Sequence, residues 1–190
     1  MYFPQNEYSD GKLGTPTILV NCAVTISSNE KLVDTPIETI NREIGTNILG
    51  NFNTIKEFLP GMLRVKRGHI VTVSSALGYC GPARLCTSKL APRLTIAAYS
   101  TSKAAILSLH ESLTAELGLS SPVKTTLVVA GQLYTPLFYG VRTPNTFIAP
   151  IVEPLDVARQ IIQAIEKRQG GEIYAPWYVG YMYPLLLVVY

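Results

Sequence analysis

The sequence predicts an α/β fold in which a parallel β-sheet is flanked by helices. Short apolar runs bounded by turn residues are typical of strands buried on both faces of a parallel sheet. The segments between them carry apolar residues spaced by three and four, the pattern of amphipathic helices. Strands and helices alternate along the chain, which favours parallel strand connections. With 190 residues, of which 47% are hydrophobic, the chain is long enough for one domain, residues 1–190, with a sizeable core.

The first half of the chain predicts two strands and one long helix. Residues 17–20 predict a strand buried on both faces, ending at Asn21. Asp34 as the capping residue and Pro36 in the first turn predict a helix start. Apolar residues spaced by three and four extend this predicted helix to Leu59, before Pro60 and Gly61. The segment GHIVTVSS, residues 68–75, predicts a second buried strand with hydroxyl groups at its carboxyl end.

The second half continues the alternation. Residues 76–96 predict a loop, and residues 97–117 predict a helix with a stripe at Ala105, Leu109, Leu113 and Leu117. A third strand, residues 125–129, is followed by Ala130 and Gly131 and then by a loop over residues 132–152. The last helix is predicted from Glu153 to about Gln169, where Gly170 and Gly171 stop it, and a short strand follows at residues 172–174.

Charge and cysteine content exclude several classes of protein. The formal net charge of +3 is small and scattered, so we expect no nucleic-acid partner. The three cysteines, Cys22, Cys80 and Cys86, are too few for a disulfide framework and contain no C-x-x-C pair, so we expect no metal site. Idle thiols are typical of a reducing compartment, and a cytoplasmic location follows. The N-terminal segment has no apolar signal-peptide core.

The C-terminal segment is unusually apolar. Residues 177–190, WYVGYMYPLLLVVY, contain no charged residue. The segment is too short to span a bilayer, which needs about 20 residues. It either packs against protein, lies on a membrane surface, or is part of a longer element.

One pair of side chains suggests proton chemistry. Tyr99 and Lys103 are separated by one turn on the predicted helix, so they share a face. An ammonium beside a phenol is expected to lower the pKa of the tyrosine from about 10. Such a tyrosine can exchange a proton with an alcohol or carbonyl oxygen, which Ser75 could also hold. Taken alone, this spacing is more typical of a solvated helix face.

The order of features resembles that of the short-chain dehydrogenase/reductase family, from about Thr15 onwards. Four segments carry the resemblance: LVNCA at 19–23, TNILG at 46–50, GHIVTVSS at 68–75 and YSTSKAA at 99–105. Residues 107–117 and TPLF at 135–138 are most similar to fungal members related to retinol and hydroxysteroid dehydrogenases, a membrane-leaning branch.

The resemblance implies a Rossmann-like sheet and an NAD(P)-dependent oxidoreductase acting on a hydrophobic alcohol or carbonyl. It makes Tyr99 the proton donor or acceptor, and Lys103 the group that lowers its pKa and binds the nicotinamide ribose. Ser75 would hold the substrate oxygen, with Ser74 as second choice. Asn47 would help to hold a water in a proton relay to Lys103.

The cofactor implied is NADP or NAD. Asn21 and Ala23 would line its adenosine side, and Leu133 and Thr135 would meet the nicotinamide carboxamide. Each position also has a purely structural interpretation, such as a surface asparagine at Asn47 or a turn at Asn21. The family further implies a homodimer, and its branch implies membrane contact through residues 177–190 at the endoplasmic reticulum or a lipid droplet.

The chain also departs from the family pattern. No glycine-rich phosphate loop is present, so we expect an N-terminally truncated domain that lacks the first βαβαβ half. Val24, Cys22 and Ala130 replace family residues, and the interval from Ser75 to Tyr99 is 24 positions (99 − 75), about twice the usual one. Thr-Ser-Lys occurs again at 87–89 without a tyrosine before it, and we interpret that stretch as a loop insertion.

Three functions therefore remain open. The chain is an oxidoreductase, a truncated and inactive relative that acts only as a binding partner, or a peripheral membrane protein. The sequence does not distinguish NAD from NADP, name the substrate or fix the direction of the reaction.

Overall fold

The computed structural model describes residues 14–26, 32–79, 97–138 and 150–181. Within them, four strands form one parallel sheet in the order of the chain. The strands are β1 (Ile18–Asn21), β2 (Gly68–Ser75), β3 (Val123–Ala130) and β4 (Gly171–Ala175). Ser75, Ala130 and Ala175 are register partners, so β2, β3 and β4 end level at the carboxyl edge. The predicted parallel α/β fold is confirmed.

Four helices flank the sheet: α1 (Ile37–Ile44), α2 (Gly50–Arg64), α3 (Ala97–Leu117) and α4 (Pro154–Glu166). A single π-helical segment, Gly45–Leu49, joins α1 to α2 without a break. Such a wide turn in a helix interior is uncommon and is often found at functional sites. Asn47 lies at its centre.

The helices cover the two faces of the sheet unequally. On one face, side chains of α2 and α3 pack with those of β2 and β3, in a cluster formed by Ile55, Met62, Ile70, Leu113 and Val123. On the other face, α4 packs on the sheet through a cluster of Val71, Val128, Val157 and Ala175. Alternate residues of β2 and β3 enter the two clusters, as the pleat of a strand requires.

The prediction that the first strand is buried on both faces is wrong. Leu19 packs against the α2 and α3 cluster, but Ile18 and Val20 on the other face are 53% and 44% exposed. Among the described residues β1 pairs only with β2, so it is the edge strand of the sheet that these residues form. The helix on that face, α4, packs on the inner strands instead. An apolar run therefore indicated a strand without showing what covers it.

The prediction that the long helix ends before Pro60 is also wrong, because α2 continues through Pro60 to Arg64. Proline inside a helix costs about 3 kcal/mol, since it removes a hydrogen bond and crowds the preceding turn. Met62, two residues further, is fully buried, and Phe58 and Leu59 pack beside it. Burying these side chains offsets the cost of the proline.

Two smaller corrections concern α3 and α4. The helix at residues 97–117 is confirmed, but its buried face is wider than the predicted stripe because Ile106 and Leu107 are also buried, against neighbouring strands. The last helix ends at Glu166 rather than Gln169. Arg168, with φ of 49°, turns the chain before the two glycines are reached.

Several predicted features lie outside the described residues: most of the 76–96 loop with Cys80, Cys86 and the second Thr-Ser-Lys, much of the 132–152 loop, and residues 182–190 of the apolar C-terminal segment.

Candidate active site

The candidate site lies at the carboxyl edge of the sheet, where parallel α/β proteins bind their ligands. Asn21 ends β1 and Ser75 ends β2, while Tyr99 and Lys103 lie on the first turns of α3. Asn47 approaches from the π-helical segment. All five side chains are buried, at 8% exposure or less.

Ser75 lies next to Tyr99. Its side chain acts on the Tyr99 phenol as a hydrogen-bonding group that favours a lower pKa, and its oxygen accepts a hydrogen bond from the Leu77 backbone N–H at 3.2 Å. A phenol and a hydroxyl that lie close together can hold one substrate oxygen between them. The structure thus brings together the two groups that the sequence places 24 positions apart (99 − 75).

Lys103 lies beside Tyr99 but is directed at β2. Its Nζ is 5.7 Å from the centroid of the Tyr99 ring and donates a hydrogen bond to the Val73 carbonyl at 3.0 Å. Burial lowers the pKa of Lys103 to about 8. The ammonium is therefore held between the phenol and the end of β2.

The expectation that the pKa of Tyr99 is lowered is not met. Burial raises the pKa of Tyr99 to about 12, the hydrogen bond from Ser75 opposes this rise, and the charge of Glu43 adds to it. A phenolate loses more hydration on burial than a phenol does, so the neutral form is favoured.

Asn47 ties three parts of the chain together. Its side-chain oxygen accepts from the Thr25 N–H at 2.8 Å, and its Nδ2 donates to the Thr25 carbonyl at 2.9 Å and to the Ser102 hydroxyl at 3.0 Å. Ser102 in turn donates to the Tyr99 carbonyl at 2.7 Å. The Asn47 side chain therefore fixes the first turn of α3, and the water relay suggested for Asn47 stays a prediction.

Sequence reasoning missed two contacts that fix the end of β2 against α3. Ser74 donates a hydrogen bond to the Lys103 carbonyl at 2.9 Å. Gly78 approaches the same peptide so closely that a Cβ there would lie 2.9 Å from the carbonyl carbon and oxygen of Lys103. A glycine three positions after a strand-end serine is the signal that could have revealed this close approach.

Asn21 presents a polar group without a partner. Its side-chain oxygen accepts from the Thr54 hydroxyl at 2.8 Å, whereas its Nδ2 is buried with no hydrogen-bond partner in the described parts of the chain. A buried donor left unpaired costs free energy, so such a group is typical of a ligand site. An unpaired amide donor suits a polar cofactor atom, and the contact of Asn21 with the adenosine side of the cofactor stays a prediction. The sequence holds no glycine-rich loop for its pyrophosphate.

The other residues predicted to contact the cofactor are Leu133, Thr135 and Ala23. Leu133 packs in the cluster under α4 and pairs with Val152, and Thr135 donates its N–H to the Leu133 carbonyl at 2.9 Å. Ala23 is exposed. Their contacts with the cofactor stay predictions.

Comparison with known proteins places the chain in a family. The profile of the short chain dehydrogenase family matches residues 7–145. The chain belongs to this family. The predicted resemblance is confirmed, and with it the Rossmann-like fold of a family that binds NAD or NADP.

Two relatives show the branch of the family. This short-chain dehydrogenase chain is 31% identical over 147 residues to the uncharacterized oxidoreductase TDA5 of Saccharomyces cerevisiae, covering 76% of the chain and 41% of the relative. It is 34% identical over 174 residues to 17-beta-hydroxysteroid dehydrogenase 13 of Rattus norvegicus, covering 89% and 52%. The chain thus spans about half the length of the curated relatives it matches.

A solved structure shows the same fold. A short-chain dehydrogenase from Sphingobium yanoikuyae in complex with NADPH superposes with a TM-score of 0.69 at 20% identity. The match covers 91% of this chain and 62% of that one. No helix in the described part of this chain is long and apolar enough to cross a membrane.

Proposed function

We propose that this chain carries the proton-transfer site of an NAD(P)-dependent oxidoreductase that interconverts a hydrophobic alcohol and its carbonyl. The observation that supports this most directly is the burial of Ser75, Tyr99 and Lys103 together at the carboxyl edge of the sheet, with the Lys103 Nζ 5.7 Å from the centroid of the Tyr99 ring. Family membership supplies the class of reaction. The buried Lys103 ammonium supplies donors suited to the nicotinamide ribose, and the unpaired Asn21 amide supplies a donor for the adenosine side.

The roles of the residues follow from their positions. When bound, the cofactor supplies or accepts the hydride at the substrate carbon. In reduction, the Tyr99 phenol donates its proton to the substrate oxygen while Ser75 holds that oxygen by a hydrogen bond. In oxidation, the same proton returns from the alcohol to the Tyr99 oxygen. Lys103 offsets the negative charge on that oxygen, and Asn47 keeps the first turn of α3 in place.

The test is a matched pair of tyrosine variants in the protein that contains this chain. Tyr99→Phe removes the proton donor and should lower kcat for a long-chain aldehyde with NADPH by about 100-fold or more. Tyr134→Phe changes a tyrosine that is 60% exposed and should leave kcat unchanged. Equal activity of the two variants would contradict the proposal. Fluorescence titration of the 190-residue chain with NADPH and NADH measures how much cofactor affinity these residues provide.

Two further properties are proposed on the same basis. Membrane contact through residues 177–190 is supported by Trp177 and Tyr181, which are 73% and 63% exposed, because both side chain types favour the membrane interface. The protein would then lie in the cytoplasm, at the surface of the endoplasmic reticulum or a lipid droplet. Flotation with phosphatidylcholine vesicles tests this, and the double variant Trp177→Ser, Tyr181→Ser should float less.

Dimerisation through the long helices is supported by their exposed apolar side chains. Leu49 and Phe52 are 54% and 43% exposed, next to the π-helical segment. Analytical ultracentrifugation should show a dimer in the wild type, and Phe52→Asp should shift it towards the monomer.

A further inference from the structure

A series of hydrogen-bonded side chains links the turn after β2 to strand β4. The Tyr174 phenol donates a hydrogen bond to the Glu172 carboxylate, and the hydroxyl groups of Tyr174 and Tyr79 are hydrogen-bonded at 3.4 Å. An ionised carboxylate only accepts hydrogen bonds, so the single proton of the Tyr174 phenol is directed at Glu172. The Tyr79 hydroxyl is therefore the donor to the Tyr174 oxygen.

Packing holds the Tyr174 ring in place. Ile173 and Ala175 enter the cluster under α4, so Tyr174 between them faces the other side of the sheet. There its ring packs against a cluster that includes Leu107 of α3. Gly180 lies so close to the ring that a Cβ at this position would be 2.9 Å from it. The Tyr174 hydroxyl is thus a fixed acceptor at the edge of the sheet.

Tyr79 ends the short turn that follows Ser75. This single 3₁₀ turn, Ala76–Gly78, is capped at its start by the Ser75 oxygen, which accepts a hydrogen bond from the Leu77 N–H at 3.2 Å. The Tyr79 N–H donates to the first carbonyl of the turn at 3.1 Å. One turn of chain therefore connects the Ser75 hydroxyl to the ring that is bonded to Tyr174.

We propose that Tyr174 is a positioning residue that acts through Tyr79 to fix the turn after Ser75, and with it the direction of the Ser75 hydroxyl. This inference rests on the function proposed above, because it concerns the group that would hold the substrate oxygen. If the turn shifts, the N–H that orients the Ser75 oxygen shifts with it. A displacement of a catalytic group by about 1 Å can lower the rate by about 100-fold.

The turn is anchored near the start of a long interval in the sequence. Ser75 and Tyr99 are 24 positions apart (99 − 75), and the sequence indicates a loop insertion between them. Gly78 lies against the backbone of Lys103, and Tyr79 is bonded to β4. The turn is thus fixed at two points, on α3 and on β4, which separates Ser75 from the remainder of this interval.

Amide hydrogen exchange measures the turn directly. The Leu77 N–H should exchange about tenfold faster in Tyr174→Phe, which removes the hydroxyl and keeps the ring, while the amides of β3 should keep their protection. Tyr134→Phe makes the same change at an exposed position and should leave the Leu77 rate unchanged. Tyr79→Phe removes the same hydrogen bond from its other end, so adding it to Tyr174→Phe should cause no further increase.

Kinetics of the protein that contains this chain distinguish positioning from general destabilisation. Tyr174→Phe should lower kcat for a long-chain aldehyde by about tenfold and leave KM for NADPH unchanged, because it affects the group that holds the substrate oxygen. In a Ser75→Ala background, Tyr174→Phe should lower kcat by less than about twofold, because the hydroxyl that Tyr174 positions is already absent.

The outcomes separate this inference from the function on which it rests. An unchanged Leu77 exchange rate in Tyr174→Phe, or an equal loss of kcat with and without the Ser75 hydroxyl, would overturn the role of Tyr174. If Tyr174→Phe does not fold, Tyr79→Phe decides by the same exchange measurement. Faster exchange at Leu77 in a protein whose aldehyde reduction is unchanged by Ser75→Ala would support the role of Tyr174 in the turn and contradict the role of Ser75 in the proposed function.

Discussion

The Ser74 hydroxyl donates a hydrogen bond to the Lys103 carbonyl across 2.9 Å and so fixes the end of β2 to the helix that carries Tyr99. Both residues are buried. Ser75, the next residue, lies next to the phenol because this contact sets the distance between strand and helix. The sequence resemblance made Ser74 the second choice for holding substrate, and its hydroxyl instead holds the protein together.

Ser74→Ala should lower the free energy of unfolding by about 1–2 kcal/mol, because it removes a buried hydrogen bond to a carbonyl. Urea denaturation measures the change. The control is Ser108→Ala, at an exposed position of α3, which should change the free energy of unfolding by less than about 0.5 kcal/mol. Equal effects of the two substitutions would mean that the Ser74 contact contributes nothing to stability.

Gly78→Ala should destabilise the protein by about 1–3 kcal/mol, because its methyl group has to displace the backbone of Lys103. The displacement should also lower kcat of the active protein by about 100-fold, since a shift near 1 Å misaligns catalytic groups. Gly45→Ala makes the same change at a helical position with no atom within 4 Å, so it should stabilise the protein by about 0.5–1 kcal/mol. Thermal unfolding and steady-state kinetics test both variants, and destabilisation by Gly45→Ala would contradict this account of the two sites.

Asn47→Ala should lower the free energy of unfolding by about 2–3 kcal/mol, because it leaves the Thr25 N–H and carbonyl and the Ser102 hydroxyl without this partner. Asn53→Ala, an exposed position on α2, is the matched control. Amide hydrogen exchange should show lower protection of the backbone amides in two places, at Thr25 and in the first turn of α3. Lower protection confined to α1 and α2 would mean that Asn47 does not hold these segments together.

The stability of the protein should rise with pH from about 8 to 10.5 because of Lys103. Its pKa is lowered from 10.5 in the unfolded chain to about 8 in the folded one, so the unfolded state binds more protons in this window. Raising the pH then favours the folded state. Lys103→Met should abolish this part of the rise in urea denaturation measured across the window. If wild type and variant keep a constant difference in unfolding free energy, Lys103 is not the group responsible.

The sequence predicted what depends on local patterns. The bounds of α3 follow from its apolar spacing, and the positions of Tyr99, Lys103 and Ser75 follow from strand ends and a helical turn. What escaped prediction depends on neighbours distant in the chain. Burial of Met62 carries α2 through Pro60, and burial of Tyr99 raises the pKa of the phenol although Lys103 lies beside its ring.

The burial of Glu43 escaped prediction for the same reason. Its sequence neighbours suggest an ordinary helix surface, and only the packing of α1 against α3 places its charge inside the protein.

The edge position of β1 has a consequence for the behaviour of the chain in solution. Along its outer side, the peptide groups of Ile18–Asn21 have no strand partner among the described residues, and the side chains of Ile18 and Val20 are exposed beside them. Such a border can add another extended segment without any rearrangement of the sheet. The chain is therefore suited to growth of its sheet by one more strand, and charged or proline substitutions at Ile18 or Val20 should make it easier to concentrate without precipitation.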